Sequence, residues 1–194
     1  MTRRDNRGSA TPLLDWGEQL RATKHKRRIV GRRIAITGLG ISVLGLTMAF
    51  PPAPRLVWNA SASAPIGLYA VTPGAPVDPG DMVIARVPDP WRMMAGQRRY
   101  IPSNVPLVKR VAAAAGDEVC ALGQEIFVNG KWVVERHVAD AQGRPMKWWS
   151  GCVQLRGRQL FLLMSDSPAS FDGRYFGVSE GAQIIGRAHL LWAR

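Results

Sequence analysis

Residues 34–54 contain no charged side chain, and they directly follow a segment crowded with arginine and lysine. The first seventeen of them, 34–50, are mainly apolar with interspersed glycines. As a helix rising about 1.5 Å per residue, they would cover roughly 26 Å, close to the ~30 Å hydrocarbon core of a bilayer. The prolines at 51 and 52 then end the helix. We therefore predict one transmembrane helix at 34–50, followed by a folded outer domain at 51–194.

The charge before this helix predicts its orientation. Residues 1–33 carry +7 of the formal net charge of +12, from ten basic and three acidic side chains. Because lysine and arginine stay on the cytoplasmic side, we predict a cytoplasmic tail at 1–33, mobile or only partly helical, and a periplasmic outer domain. Anionic lipid of the inner membrane is the predicted partner of the tail. The tail lacks clustered aromatic side chains, so we do not expect nucleic acid binding through stacked bases.

A cleaved secretory signal is the alternative for the N-terminus, because residues 60–62 (Ala-Ser-Ala) have the small side chains of a cleavage site. However, a basic region of thirty-three residues is long for a signal peptide. The small-residue triplet also lies about ten residues beyond the apolar run, past several prolines. These features favour an uncleaved anchor.

After the anchor, residues 61–69 (Ser-Ala-Ser-Ala-Pro-Ile-Gly-Leu-Tyr) place two hydroxyl groups in a turn of small residues. Pro65 fixes its own φ and favours an extended Ala64, while Gly67 permits a tight bend. Such a turn can present Ser63 to a peptide substrate as a nucleophile. An ordinary linker has a similar composition, so this stretch alone leaves both interpretations open.

A serine nucleophile needs a base, and none of the three histidines, His25, His137 and His189, lies in a recognisable catalytic context. Lys109 is the remaining candidate, because the apolar run at 106–115 predicts a mostly buried strand around it. Lowering a lysine pKa from about 10.4 to about 7 or 8 takes roughly 4 kcal/mol, which full burial can supply. The alternative is a strand lysine whose ammonium group reaches solvent.

A third stretch, residues 164–177, is dense in hydrogen-bonding groups and follows an apolar strand. Asp172 and Arg174 can form an ion pair, and Ser170 can hold a neutral amine in place. Taken singly, each of these residues is equally compatible with a surface loop carrying an ordinary ion pair.

The two cysteines, Cys120 and Cys152, both fall in the predicted outer domain. An oxidising compartment favours a disulfide between them, with two unrelated buried thiols as the alternative. Neither cysteine has the histidine or cysteine neighbours that zinc requires, and we predict no metal and no cofactor.

The outer domain is predicted to be mainly β. Apolar runs bounded by turn residues predict strands, and Asn129-Gly130 between two such runs predicts a hairpin with a type I′ turn. Residues 88–106 are rich in proline and basic side chains and are predicted to form an excursion over the site. No segment after residue 60 has a clear helical period. The predicted strands lie at 67–72, 81–87, 106–115, 126–128, 131–134, 159–164 and 183–192.

Together, three motifs in this order resemble the type I signal peptidases, most closely their conjugative-transfer branch, the TraF-type peptidases. The motifs are Ser-x-Ser-x-Pro-x-Gly-Leu-Tyr at 61–69, Leu-Val-Lys-Arg-Val at 107–111 with Gly-Asp at 116–117, and Ser-Phe-Asp-Gly-Arg-Tyr-Phe-Gly at 170–177. The resemblance implies a coiled, partly open β-barrel-like domain behind one N-terminal membrane helix. It also implies a Ser-Lys endopeptidase.

The resemblance assigns a role to each candidate residue. Ser63 would be the nucleophile, and Lys109 the general base and then acid. Ser61 and the Ser63 N–H would stabilise the oxyanion. Ser170 would orient Lys109, and Asp172 would support that geometry partly through Arg174 and is treated as functionally important in this branch.

Two departures bear on the substrate. Ala64 stands where general signal peptidases usually carry methionine, and Ser165-Asp166 replaces the Gly-Asp that opens their last motif. Both favour the conjugative branch, which implies a pilin precursor as substrate, a product that is either linear or cyclised, and contacts with other conjugation (type IV secretion) components. The alternatives are a noncatalytic pilus-assembly factor, a general signal peptidase I and a nucleic-acid-binding module that uses the basic tail.

Overall fold

The computed structural model describes residues 12–50 and 52–194, and side-chain exposure from residue 24 onward. Residues 1–11 of the predicted tail lie outside the described residues. The chain divides into two units at residues 52 and 53, which are described separately.

The N-terminal unit contains one long helix, α1 (Pro12–Ala49). Within α1, Lys24–Ala49 is long and apolar enough to cross a membrane, and its side chains are exposed along the whole length. The single apolar N-terminal helix predicted from the sequence is therefore confirmed. The helix begins well before residue 34, however, and includes the basic segment from residue 12. Lysine and arginine are good helix formers, and a proline at the first helical position is favourable, so this extension needs no apolar face.

The second unit is mainly β, as predicted, and its larger sheet carries six antiparallel strands in the order β1-β2-β10-β3-β4-β9. Side chains alternate between buried and partly buried along β2, which is the pattern of a strand with one face on the core. The strands are β1 (Leu56–Asn59), β2 (Gly67–Pro73), β3 (Met82–Ala85), β4 (Leu107–Ala113), β9 (Phe161–Leu163) and β10 (Ile184–Ala193).

The smaller sheet has the order β7-β6-β5-β8. Cys120 and Cys152 lie directly opposite each other on β5 and β8 and form a disulfide. Asn129 and Gly130 both have positive φ values, 51° and 74°, as the predicted type I′ turn requires. The strands are β5 (Glu118–Leu122), β6 (Glu125–Val128), β7 (Lys131–Glu135) and β8 (Gly151–Gln154).

Two helices lie in this unit, although no segment after residue 60 has a clear helical period: α2 (Asp89–Gln97) inside the predicted excursion, and the single turn α3 (Gly173–Phe176). Helix α2 begins with a proline in its first turn and buries only Ala95 completely. At nine residues, α2 contains only one set of apolar side chains at helical spacing, Trp91, Met94 and Ala95, which is too short to stand out as a period. The excursion also packs against the loop before α3, because the Phe171 ring contacts both Trp91 and Tyr100.

Candidate active site

Ser63 lies in the turn that joins β1 to β2. The last pair of that antiparallel ladder is Asn59 with Gly67, so residues 60–66 form the connection. The hydroxyl oxygens of Ser61 and Ser63 lie 3.0 Å apart, and the Ser63 N–H donates a longer bond of 3.4 Å to Ser61 Oγ. Ser61 is exposed and Ser63 is half-buried, so both hydroxyls remain accessible at the tip of the turn.

The side chain of Asn59 fills the inside of this turn. Its Nδ2 lies 3.0 Å from Ser61 O, 3.1 Å from Ala64 O and 3.0 Å from Pro65 O. Its Oδ1 accepts the Ser61 N–H at 3.1 Å. Asn59 is buried, so this carboxamide is the main polar support of the turn from within.

Lys109 extends from β4 to the turn and is 2% exposed. Its Nζ donates to Ser63 Oγ and to Ser170 Oγ, each at 2.8 Å. Burial lowers the pKa of Lys109 to about 8; the Asp172 carboxylate opposes this shift and the Arg174 guanidinium adds to it. A substantial fraction of Lys109 is therefore neutral at mildly alkaline pH, as a general base requires.

Asp172 and Arg174 stand behind Ser170 and make no hydrogen bond to Lys109 or Ser63. The Asp172 carboxylate instead accepts the Met164 N–H at 3.1 Å and pairs with the Arg174 guanidinium. The Asp172 carboxylate therefore contacts neither the Ser63 hydroxyl nor the Lys109 amine directly.

Arg174 fixes the loop that carries Ser170. Its guanidinium donates to main-chain oxygens along the whole loop, so the loop backbone is tied at several points to one fully buried side chain. The acceptors are Met164 O at 2.8 Å, Pro168 O at 2.9 Å and Ser167 O at 3.2 Å.

Two residues that flank the strands of the smaller sheet contact this segment from a second direction. Trp149 Nε1 donates to Gly173 O at 2.9 Å, and the fully buried Arg136 donates to Arg174 O at 3.1 Å and to Trp149 O at 2.8 Å.

The disulfide belongs to the smaller sheet and not to the Ser63 site. The one group of potential metal ligands in the described part of the chain consists of Glu118 and the two cysteines, whose sulfurs are bonded to each other.

A cleft of about 540 Å³ opens beside Ser63 and Lys109. Apolar side chains, including Ile101, Val105 and Leu107, line much of it. The cleft can therefore hold an extended peptide segment with apolar or small side chains next to the nucleophile.

Two segments that are far apart in the sequence meet at this cleft. The Tyr100 hydroxyl donates to the Asp140 carboxylate, which also accepts Arg144 Nε at 2.7 Å, and Arg98 Nη1 donates to Pro145 O at 3.0 Å. Burial alone would raise the pKa of Asp140, but the hydrogen bonds from Tyr100, Arg144 and Gln142 lower it well below its usual range. Asp140 is therefore a carboxylate at neutral pH and links the two segments.

Ser61, Ser63, Lys109 and Ser170 thus meet at one point, although up to 61 residues separate Lys109 from its partners. Sequence reasoning missed Asn59, Arg136 and the Tyr100–Asp140 link. An asparagine directly before a small-residue turn is a recognisable turn signal, so Asn59 was detectable in principle. No comparable signal marks Arg136 or Tyr100.

Comparisons of the chain with known proteins agree on one family. Residues 28–193 match the family described as "Signal peptidase, peptidase S26". The chain is 37% identical to the Escherichia coli plasmid transfer protein TraF over 137 residues, which is 66% of this chain and 77% of that protein. It is 34% identical to a probable conjugal transfer protein TraF of Sinorhizobium fredii over 140 residues, 67% of this chain and 73% of that protein.

Two proteins with the name signal peptidase I are also similar to parts of the chain. A probable signal peptidase I-2 of Synechocystis is 30% identical over 81 residues, 42% of this chain and 35% of that protein. The crystal structure of a signal peptidase I from Enterococcus faecalis aligns with a TM-score of 0.34 and 19% identity, over 60% of this chain and 98% of that one.

Proposed function

The chain belongs to the signal peptidase family, peptidase S26, and from this we propose that it is a membrane-anchored serine endopeptidase with Ser63 as nucleophile and Lys109 as general base. The observation that carries the proposal is the 2.8 Å hydrogen bond from the buried Lys109 Nζ to Ser63 Oγ. A lysine whose pKa is lowered to about 8 can accept the serine proton near neutral pH.

In the proposed reaction, Ser63 Oγ attacks the scissile carbonyl carbon while its proton passes to neutral Lys109. The Ser63 N–H and the Ser61 hydroxyl donate to the oxyanion that forms. The carbon–nitrogen bond then breaks, Lys109 returns the proton to the leaving amine, and an ester on Ser63 remains. Ser170 keeps the lysine side chain directed at Ser63 throughout, since its hydroxyl lies 2.8 Å from Nζ.

The substrate we propose is a conjugative pilin precursor with small residues before the cut. Two similar proteins carry the names plasmid transfer protein and conjugal transfer protein, which supports a role in conjugation. Other conjugation components are then candidate partners at the membrane. Either water or the amino terminus of the pilin itself resolves the ester, and we propose the amine, which gives a cyclic subunit.

We place the N-terminus in the cytoplasm and the peptidase unit in the periplasm. The apolar Lys24–Ala49 segment supports a single-pass anchor, and the basic residues that precede it favour retention on the cytoplasmic side. Alkaline phosphatase fused after residue 194 would be active only in the periplasm. This orientation would be contradicted if the phosphatase fusion were inactive while a reporter that works only in the cytoplasm were active when fused at the same position.

Mass spectrometry of a pilin precursor co-expressed with the full-length protein tests the catalytic assignment. We expect processing by the wild type and none with Ser63→Ala or Lys109→Ala. Ser165→Ala and Lys131→Ala are matched controls, because both residues are exposed and neither contacts Ser63. Both controls should process normally.

The remaining outcomes separate the alternatives. Processing by every variant would mean that another enzyme cleaves the precursor and that this chain is a pilus-assembly factor. Cleavage of unrelated secretory precursors at a similar rate would favour a general signal peptidase I. A product heavier by one water than the cyclic subunit would contradict cyclisation and leave the peptidase assignment intact.

A further inference from the structure

The turn that carries Ser63 is held by a side chain for which the proposed reaction has no direct use. Asn59 is 7% exposed, and its carboxamide lies within hydrogen-bonding distance of four main-chain atoms of residues 61–65. It makes no hydrogen bond to Ser63 Oγ or Lys109. Two of these four contacts are nevertheless with Ser61, the residue that supplies the proposed oxyanion hydroxyl.

Both main-chain polar atoms of Ser61 bind the same carboxamide. The Ser61 N–H donates to Asn59 Oδ1 at 3.1 Å, and Ser61 O accepts from Nδ2 at 3.0 Å. Because one rigid planar group fixes the peptide units on both sides of Ser61, the φ and ψ angles of Ser61 are fixed as well. These angles set the position of the Ser61 Cβ atom, from which the hydroxyl lies 3.0 Å from Ser63 Oγ and 3.4 Å from the Ser63 nitrogen.

Asparagine is well matched to this task among the natural side chains. The arrangement requires an acceptor and a double donor on one short arm. Aspartate offers no donor when ionised and would face three carbonyl oxygens, while glutamine is longer by one methylene. Exposed serines in a small-residue turn otherwise sample several conformations, and an oxyanion donor contributes most when it is positioned before the reaction.

We propose that Asn59 is a positioning residue that preorganises the oxyanion site by holding Ser61 against Ser63. This inference rests on the proposed peptidase function. It assigns Asn59 to transition-state stabilisation and not to substrate binding or to the ionisation of Lys109. Removing its contacts should therefore lower kcat without changing KM or the pH at which Lys109 titrates.

The test uses the full-length protein in detergent micelles with a fluorogenic peptide spanning the pilin cleavage site. We expect Asn59→Ala to lower kcat by roughly ten to a hundredfold, because a displaced donor loses much of the contribution of an intact one. KM should stay within about threefold of the wild type, a change too small to indicate lost binding. The rate at which a fluorophosphonate labels Ser63 should fall in parallel, since its phosphoryl oxygen occupies the same site.

Asn59→Asp keeps the test decisive if the alanine variant does not fold. This variant retains the shape and the acceptor for the Ser61 N–H but loses the donors to Ser61 O, Ala64 O and Pro65 O. Burial and the surrounding carbonyl oxygens favour the protonated carboxyl, which restores one donor. The kcat deficit relative to the wild type at the same pH should therefore shrink as the pH falls, which a purely structural lesion would not do.

Asn129→Gly is the matched control. Asn129 also holds a turn through its side chain, with bonds of 2.8 Å to the Glu118 N–H and to Asp117, but it lies in the β6–β7 hairpin and tolerates glycine because its φ is positive. Its kcat should equal that of the wild type. A folded Asn59→Ala variant with wild-type kcat, or one with raised KM alone, would overturn the proposal. Failure of the wild type to cleave in a Ser63-dependent way would instead overturn the peptidase assignment.

Discussion

The Asp172 carboxylate and the Arg174 guanidinium form a two-point ion pair: Oδ1 accepts from Nε at 2.8 Å and Oδ2 accepts from Nη2 at 3.1 Å. Their side chains are 0% and 1% exposed, so the pair has no solvent to screen it. Two charges removed from water are tolerated only when their hydrogen-bonding capacity is filled, and here the remaining donors of Arg174 bind loop carbonyls. The pair therefore holds the loop that carries Ser170 in place. Ser170 in turn accepts a hydrogen bond from Lys109.

Asp172→Asn should destabilise the protein strongly, because it leaves the Arg174 guanidinium buried without a counter-charge. Breaking a buried pair in this way costs about 3–5 kcal/mol of unfolding free energy, which chemical denaturation monitored by tryptophan fluorescence would measure. Asp89→Asn is the control, since Asp89 pairs with Arg92 at 2.8 Å but is 83% exposed. That exposed pair should contribute about 0–1 kcal/mol. Equal effects of both substitutions would contradict the buried-pair interpretation.

The pH dependence of activity should report the ionisation of Lys109. Because only the neutral amine accepts the Ser63 proton, kcat/KM should rise with pH to a plateau with a midpoint near the Lys109 pKa of about 8. Asp172 favours the protonated lysine, so a folded Asp172→Asn variant should have its midpoint at lower pH. The His137 imidazole also lines the cleft, and His137→Gln should retain this dependence of kcat/KM on pH. If the rise of kcat/KM with pH disappeared in that variant, the rise would be assigned to His137 and not to Lys109.

The same ionisation makes stability depend on pH in a defined direction. In the folded state Lys109 loses its proton above about pH 8, whereas the unfolded chain keeps it up to the ordinary value of 10.5. The unfolded state therefore binds more protons in this window, and the contribution of Lys109 to the unfolding free energy rises with pH, by ~3 kcal/mol in total. Lys109→Met should remove this rise in the unfolding free energy. If the rise persists in this variant, it comes from another titratable group.

The sequence predicted the parts of this domain that carry local signals. The strands around Lys109 and before Ser170 were recognisable as short apolar runs, and the Asn129-Gly130 turn was recognisable from its dipeptide. The three motifs also predicted that Ser63, Lys109 and Ser170 belong together. Their 2.8 Å contacts depend on strand pairing, which no local pattern encodes.

The features that were missed depend on long-range contacts or lack periodicity. Tyr100 and Asp140 are 40 residues apart, and neither is unusual in its local sequence. Arg136 is fully buried although arginine is rarely buried, because main-chain carbonyls surround its guanidinium. Helix α2 was missed because it has only nine residues, and its one apolar set, Trp91, Met94 and Ala95, is too short to stand out as a helical period.

Gly173 is expected to tolerate no side chain, because the start of α3 packs directly on β9 there. A Cβ atom at this position would lie 2.7 Å from Leu162 O and 2.8 Å from the Phe161 ring. Gly173→Ala should therefore lower the unfolding free energy by about 1–3 kcal/mol or more, measured by denaturation, and should reduce kcat by displacing the loop. Gly96→Ala in α2 is the control, since its nearest contact would be an ordinary 3.7 Å. That substitution should stabilise the helix by about 0.5–1 kcal/mol, and destabilisation by both would point to a general intolerance of alanine.

The Cys120–Cys152 disulfide joins β5 to β8, an edge strand whose four residues are all exposed. A strand with so little buried surface depends on its neighbour for its place in the sheet. The bond links residues 32 apart in the sequence, and closing a loop of that size restricts the unfolded chain by about 3–4 kcal/mol on the chain-entropy account. Trp149, two residues before β8, in turn donates a hydrogen bond to Gly173 O at the start of α3.

Replacing both cysteines by alanine should therefore lower the unfolding free energy of the full-length protein by about 3–4 kcal/mol. Denaturant titration of the double variant, beside the wild type with and without reductant, measures this difference. The reduced wild type should unfold at the same denaturant concentration as the double variant, because both lack the cross-link and the alanines add no new contact. The unreduced, denatured wild type should expose no reactive thiol, since neither cysteine is free. Two reactive thiols in the unreduced, denatured wild type would contradict this prediction, as would an unfolding midpoint that reductant does not change. Both results together would mean that the cysteines are not bonded and that packing alone holds β8 in place.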